Sequence, residues 1–165
     1  MNWPELPQRR TVKFDEFRSL IGQTMPSVWL TVDQEMIDTF ARATGDDAFI
    51  HTDPAAAATT RFRGTIAHGL LSLSLLPWLM RSALPDIGDR RMGVNYGYES
   101  IRFISPVPSD AQVRGHFTVM GIEPGRGGMQ ILRQEVSLEI RGQARPAMVA
   151  TWLLGIWIKA DGDQS

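Results

Sequence analysis

The segment from His68 to about Leu84 limits the possible folds more than any other part of the chain. Leu70, Leu71, Leu73, Leu75, Leu76, Trp78, Leu79 and Met80 leave it apolar on nearly every side, and a helix apolar all round has to be buried. Pro77 removes the amide that would bond the carbonyl of Leu73, so the helix is expected to kink or to end its first half there. The run is interrupted by Ser72, Ser74, Pro77 and Arg81 and is too short to span a bilayer. Cover for this helix must therefore come from the rest of the 165 residues, a length that suits one domain with a sizeable core.

Most of that cover lies after the helix, where the pattern switches to period two. Val94, Tyr96 and Tyr98 alternate with polar or small residues, and Ile101 and Phe103 continue in the opposite parity, which predicts a β-bulge near Glu99–Ser100. A turn over 105–110 leads to a half-buried strand with Ala111, Val113, Phe117 and Val119 inward. After the turn at 123–128, Leu132, Val136, Leu138 and Ile140 face in; the last strand, about Ala147 to Ile158, is apolar on both faces and is expected to be central or at a subunit interface. Before the helix, residues 1 to about 12 read as an N-terminal arm of a single domain, 1–165. Phe14 to Ile21 suits a short helix stopped by Gly22, and Ser27–Thr31 a short strand.

Met36, Ile37, Phe40 and Ala41 form a helical stripe, opened by a Thr31/Gln34 capping box or by Asp33 and closed by Gly45. Asp53–Pro54 opens a further short helix through the alanine run, and residues 61–65 form a loop. An antiparallel sheet wrapped around one long buried helix is an α+β hot-dog architecture. One thin sheet can hardly cover such a helix, so a homodimer with sheets joined edge to edge is expected, which also removes long exposed edges.

Composition narrows the chemistry. The chain has no cysteine, which excludes disulfides, thiolate nucleophiles and Cys-ligated metals. A net charge of −1 gives no global attraction to nucleic acid or to an anionic membrane. The N-terminal MNWPELPQRR lacks an apolar h-region, and a cytoplasmic protein is expected.

Against this background the stretch from Thr44 to Gly69 holds the candidate site. Asp46 and His51 lie five residues apart, which on a helix would point them about 140° away from each other. On a loop bent by Gly45 they can converge on a water and act as a general acid–base pair near neutral pH. The alternative is that Asp46 caps the helix and His51 is a partly exposed loop residue. Asp53 is read as a helix cap, and Asp47 points away from Asp46, so neither is assigned chemistry. Gly69 opens the apolar helix, where an N–H without an internal partner can meet a carbonyl oxygen; alternatively it is small because a strand packs across it. His68 either lines the pocket or caps a neighbouring carbonyl, and His116 sits on the solvated face of a strand.

These residues carry a resemblance. Phe40 to Ala57, FARATGDDAFIHTDPAAA, closely resembles the hydratase-2 motif of the MaoC-like dehydratases, which include the (R)-specific enoyl-CoA hydratases; Ile66-Ala-His-Gly69 matches that family's helix opening. Val94-Asn-Tyr-Gly97, Ile101-Arg-Phe103 and Pro106-Val-Pro108 look like the nodulation protein N-like subgroup. One departure is Ala48-Phe49, where the wider family commonly has Asn-Pro. The resemblance implies reversible hydration of a trans-2-enoyl thioester, of CoA or of an acyl carrier protein, to the (R)-3-hydroxyacyl product. By position it makes Asp46 and His51 the catalytic pair and Gly69 the oxyanion donor, with no metal or redox cofactor required; His68, next to Gly69, is taken with it as a substrate-binding residue. The rival readings are a hot-dog thioesterase, disfavoured because no residue from Gly69 to Leu84 is acidic, and a silent acyl-CoA-binding protein. Arg61, Arg63, Arg90 and Arg91 read as exposed surface charge, with contact to CoA phosphates as the alternative.

Overall fold

The computed structural model describes residues 3–159; Met1 and Asn2 of the expected arm, and 160–165 of the expected domain, lie outside them. In chain order the elements are β1 (Thr11–Val12), α1 (Phe14–Phe17), β2 (Thr24–Pro26), β3 (Leu30–Val32), α2 (Gln34–Thr44), α3 (Phe49–Thr52), α4 (Pro54–Ala58), α5 (Gly69–Ser74), α6 (Leu76–Ala83), β4 (Asp86–Ile87), β5 (Arg90–Phe103), β6 (Ala111–Pro124), β7 (Gln130–Ile140) and β8 (Met148–Ile158). This is the α+β hot-dog fold: a six-stranded antiparallel sheet, β2-β6-β7-β8-β5 with β3 also on β6, laid against the α5–α6 helix.

The period-two pattern becomes register. Val113, Phe117 and Val119 on β6 and Leu132, Val136, Leu138 and Ile140 on β7 are buried, as their alternation requires. Gln134 lies on the same inward face of β7 and is fully buried, a polar residue in a row read as apolar. The parity change on β5 is a register shift between Tyr98 and Ser100, and a second shift falls between Asn95 and Gly97. β8 is central, between β7 and β5; Met148, Ala150, Trp152, Leu154 and Ile156 on its inward face are buried, whereas Val149 on the other face is exposed. Of the expected strand at 27–31 only Leu30 and Thr31 are in strand, within β3; β2 lies before it, and Ser27 in the gap bonds the Gly115 carbonyl through its N–H (2.8 Å).

The helix breaks where Pro77 demands. α5 ends at Ser74, and Pro77 takes the first turn of α6, where a missing N–H costs nothing. Leu71, Leu75, Leu76 and Leu79 are buried against the sheet, but Leu70 is 59% exposed. Leu73, Trp78 and Met80 pack against the core but are only partly buried, so within one chain the helix falls short of the all-round burial its composition requires. The arm is anchored beside it: Trp3 packs at a tilt on Trp78 (centroids 5.0 Å apart, planes 49° apart), Arg9 donates to the carbonyls of Leu84 and Pro85, and β1 pairs in parallel with β4.

Candidate active site

Short-range signals build the site loop. Asp33 caps α2, its carboxylate accepting from Met36 N (2.8 Å), so the Thr31/Gln34 capping box is not formed. Gly45 closes α2 in the left-handed conformation, φ 77°, and turns the chain so that Asp46 leaves on the exposed side. His51 is not on an open loop: it belongs to α3, a single turn, and is buried. Asp53 ends that turn and caps α4 by accepting from Ala56 N (2.9 Å).

The two histidines are fixed by backbone carbonyls. His51 Nδ1 lies 2.6 Å from Ile66 O; since a carbonyl only accepts, Nδ1 carries the proton and Nε2 holds a lone pair when the ring is neutral. His68 Nε2 lies 2.8 Å from the Asp46 carbonyl, so His68 takes the capping role, and its buried Nδ1 has no hydrogen-bond partner among the described residues. Its ring stacks on that of His51 (centroids 3.8 Å apart, planes 28° apart) and meets Phe40 at 5.0 Å. The result is a compact group: an Asp46 carboxylate oxygen and one ring nitrogen from each of His51 and His68 all lie within 4.8 Å of one another.

Such a trio invites the question of a metal. A metal bonds an imidazole in the plane of its ring at about 2.0–2.1 Å. Two rings stacked 3.8 Å apart and tilted by 28° have planes that converge well beyond that distance. The arrangement fits proton transfer better than shared coordination.

Beside His51 opens a cavity of about 280 Å³ whose wall includes Gly69, Ser72, Phe62, Phe103 and Arg61. Gly69 meets both readings made of it: it lines the cavity, and Phe103 of β5 packs across it so closely that an added Cβ would lie 3.1 Å from the ring. Residues 104–107, after β5, complete the wall because Ala67 N bonds Val107 O (2.8 Å) next to the helix start. Phe103 and this loop were legible only as strand end and turn, with no signal of where they dock. A larger concavity, about 360 Å³, lies on the outer sheet face. There His116 is bonded to Glu139 (2.7 Å), which also accepts from Arg114; this histidine is paired rather than merely solvated. Arg90 is likewise bonded to Asp86, whereas Arg61 lines the cavity beside His51.

Comparison with known proteins identifies the family and the fold. The MaoC like domain model matches residues 16–140. Nodulation protein N of Rhizobium meliloti is 40% identical over 144 residues, covering 86% of this chain and 89% of its own. The 3-hydroxyacyl-thioester dehydratase Z of Mycobacterium tuberculosis is 39% identical over 130 residues, 79% and 83% of the two chains. Among solved structures, the (R)-hydratase of A. caviae involved in PHA biosynthesis aligns with TM-score 0.66 at 26% identity, covering 81% of this chain and 94% of that one. A MaoC-like dehydratase from Rhodospirillum rubrum aligns at 0.69 with 17% identity, a likeness of fold alone.

Proposed function

This chain belongs to the MaoC-like dehydratase family, and we propose that it is an (R)-specific hydratase that adds water reversibly to a trans-2-enoyl thioester of CoA or of an acyl carrier protein. The observation that carries the reading is the convergence of the Asp46 carboxylate with His51, whose Nδ1 is held by Ile66 O so that Nε2 is left as a base. In the forward direction His51 Nε2 takes a proton from water as the oxygen adds to C3. Electron density moves through C2 to the thioester oxygen, which the Gly69 N–H receives, and a proton returned to C2 completes the addition. Asp46 shares the water and offsets the charge that develops on the imidazole. His68 binds no substrate atom in this scheme; it holds the Asp46 backbone against His51.

The working unit in this reading is a cytoplasmic homodimer. β5 is an edge strand of 14 residues, with Met92, Val94 and Tyr96 exposed along it and Leu70 and Phe103 exposed near the cavity. A second copy of the edge would cover them. No helix among the described residues is long and apolar enough to cross a membrane.

The test is the loss of enoyl absorbance from crotonyl-CoA and longer enoyl-CoA thioesters. Asp46→Asn and His51→Gln are each expected to lower kcat/KM by at least ~100-fold, the usual scale for a general acid–base group. Full activity in both variants would sink the assignment. Release of free CoA without enoyl loss would assign thioester hydrolysis instead, and binding with neither change a silent acyl-CoA carrier.

A further inference from the structure

Gln34 is the first residue of α2, yet Asp33 performs the capping, which leaves the Gln34 side chain free for other partners. It uses its whole amide. Nε2 donates to the backbone carbonyl of His51 (2.7 Å) and to Asp38 Oδ1 (2.8 Å), and Oε1 accepts from Thr65 Oγ1 (2.5 Å). The orientation of the amide is not ambiguous: a carbonyl and a carboxylate only accept, so the NH₂ must face them. Asp38, one turn along α2, aims the group.

The consequence lies in what the two ends hold. The His51 carbonyl belongs to the residue whose ring is the base. Thr65 precedes Ile66, whose carbonyl fixes the His51 Nδ1 proton. Ile66 N in turn bonds Ile50 O (3.0 Å). One side chain from α2 therefore closes a ring around His51, fixing its backbone and the acceptor that sets its tautomer. From this we infer that Gln34 is a positioning residue for the base, a role that rests on the reading of His51 given above.

Gln34→Met keeps the volume and removes all three hydrogen bonds. Misplacement of a reacting group by about an ångström costs on the order of 100-fold, so kcat is expected to fall roughly 10- to 100-fold. KM should move less than about 3-fold, since uniform substrate binding is untouched. In a His51→Gln background the same substitution should cost nothing further, because the two act as one unit. Independently of activity, the His51 Nδ1 proton, observed by imidazole NMR, should exchange roughly tenfold faster as its site opens locally. If Gln34→Met unfolds, Thr65→Val tests the other arm with a smaller loss expected. Wild-type kcat together with unchanged proton exchange in both variants refutes the clamp. Equal losses with and without His51 also refute it, marking a general structural effect. A wild-type protein that hydrates no enoyl thioester refutes the proposed function instead, and proton exchange still decides the clamp.

Discussion

Gly69→Ala separates the two demands made on the start of the apolar helix. The added methyl would stand 3.1 Å from three atoms of the Phe103 ring, against about 3.5–4.0 Å for a relaxed carbon–carbon contact. The ring must retreat by about half an ångström. Phe103 is 52% exposed at the end of an edge strand in the single chain, and in the proposed dimer its retreat is taken up at the interface. A side chain pushed off its rotamer costs about 0.5–1.5 kcal/mol. Against this, Ala restricts the unfolded chain and stabilises by about 0.4–1 kcal/mol where the backbone tolerates it, and Gly69 sits in ordinary helical geometry, outside the positive-φ positions. Net stability should stay within about 1 kcal/mol of wild type in urea denaturation. Activity should not be spared. The methyl enters the cavity wall beside the N–H assigned to the oxyanion, where loss of one donor is worth about 10²–10³ in rate; a partial block should cost at least ~10-fold in enoyl hydration. Wild-type kcat/KM in a normally folded Gly69→Ala protein would falsify the reading that the substrate carbonyl approaches closely at this position. A large loss of stability would instead show that Phe103 cannot move.

Two further outcomes are expected. The Glu139 carboxyl is held below the ordinary glutamate range by its hydrogen bonds from His116 and Arg114. A lowered folded-state value means its contribution is complete above the ordinary range and is lost as pH falls through the folded value; thermal melts of wild type and Glu139→Gln should therefore differ near neutral pH and converge in acid, and a gap that widens in acid contradicts this. Tyr96→Lys places a charge on the exposed β5 edge, where Tyr96 is 55% exposed, and should shift the protein from dimer to monomer in sedimentation without loss of fold; an unchanged dimer moves the interface elsewhere.

Much of the molecule was legible because its signals act within one turn or one strand. Gly45, Asp53–Pro54 and Pro77 specify caps and breaks through their own φ angles, side-chain oxygens or missing amides, and they act where they stand. The change of parity on β5 likewise announces its bulge, because inward-facing residues must recur every second position. The Thr31/Gln34 box misled for a related reason: two residues competed for one cap, and Asp33 took it.

The sequence by itself determined that an apolar helix would be packed by four long antiparallel strands, and it put Asp46 and His51 together ahead of that helix, though on a loop where His51 folds into the single turn α3. Which atoms then meet was decided by tertiary structure. Gln34 reaches residues 17 and 31 positions away, His68 stacks on His51, and Phe103 lies over Gly69 from the opposite layer. Such contacts depend on how helix and sheet settle against each other, a collective outcome of burying the whole core that no local pattern encodes. Leu70 makes the same point at a larger scale: the helix's composition asks for complete burial, and within one chain this residue stays exposed.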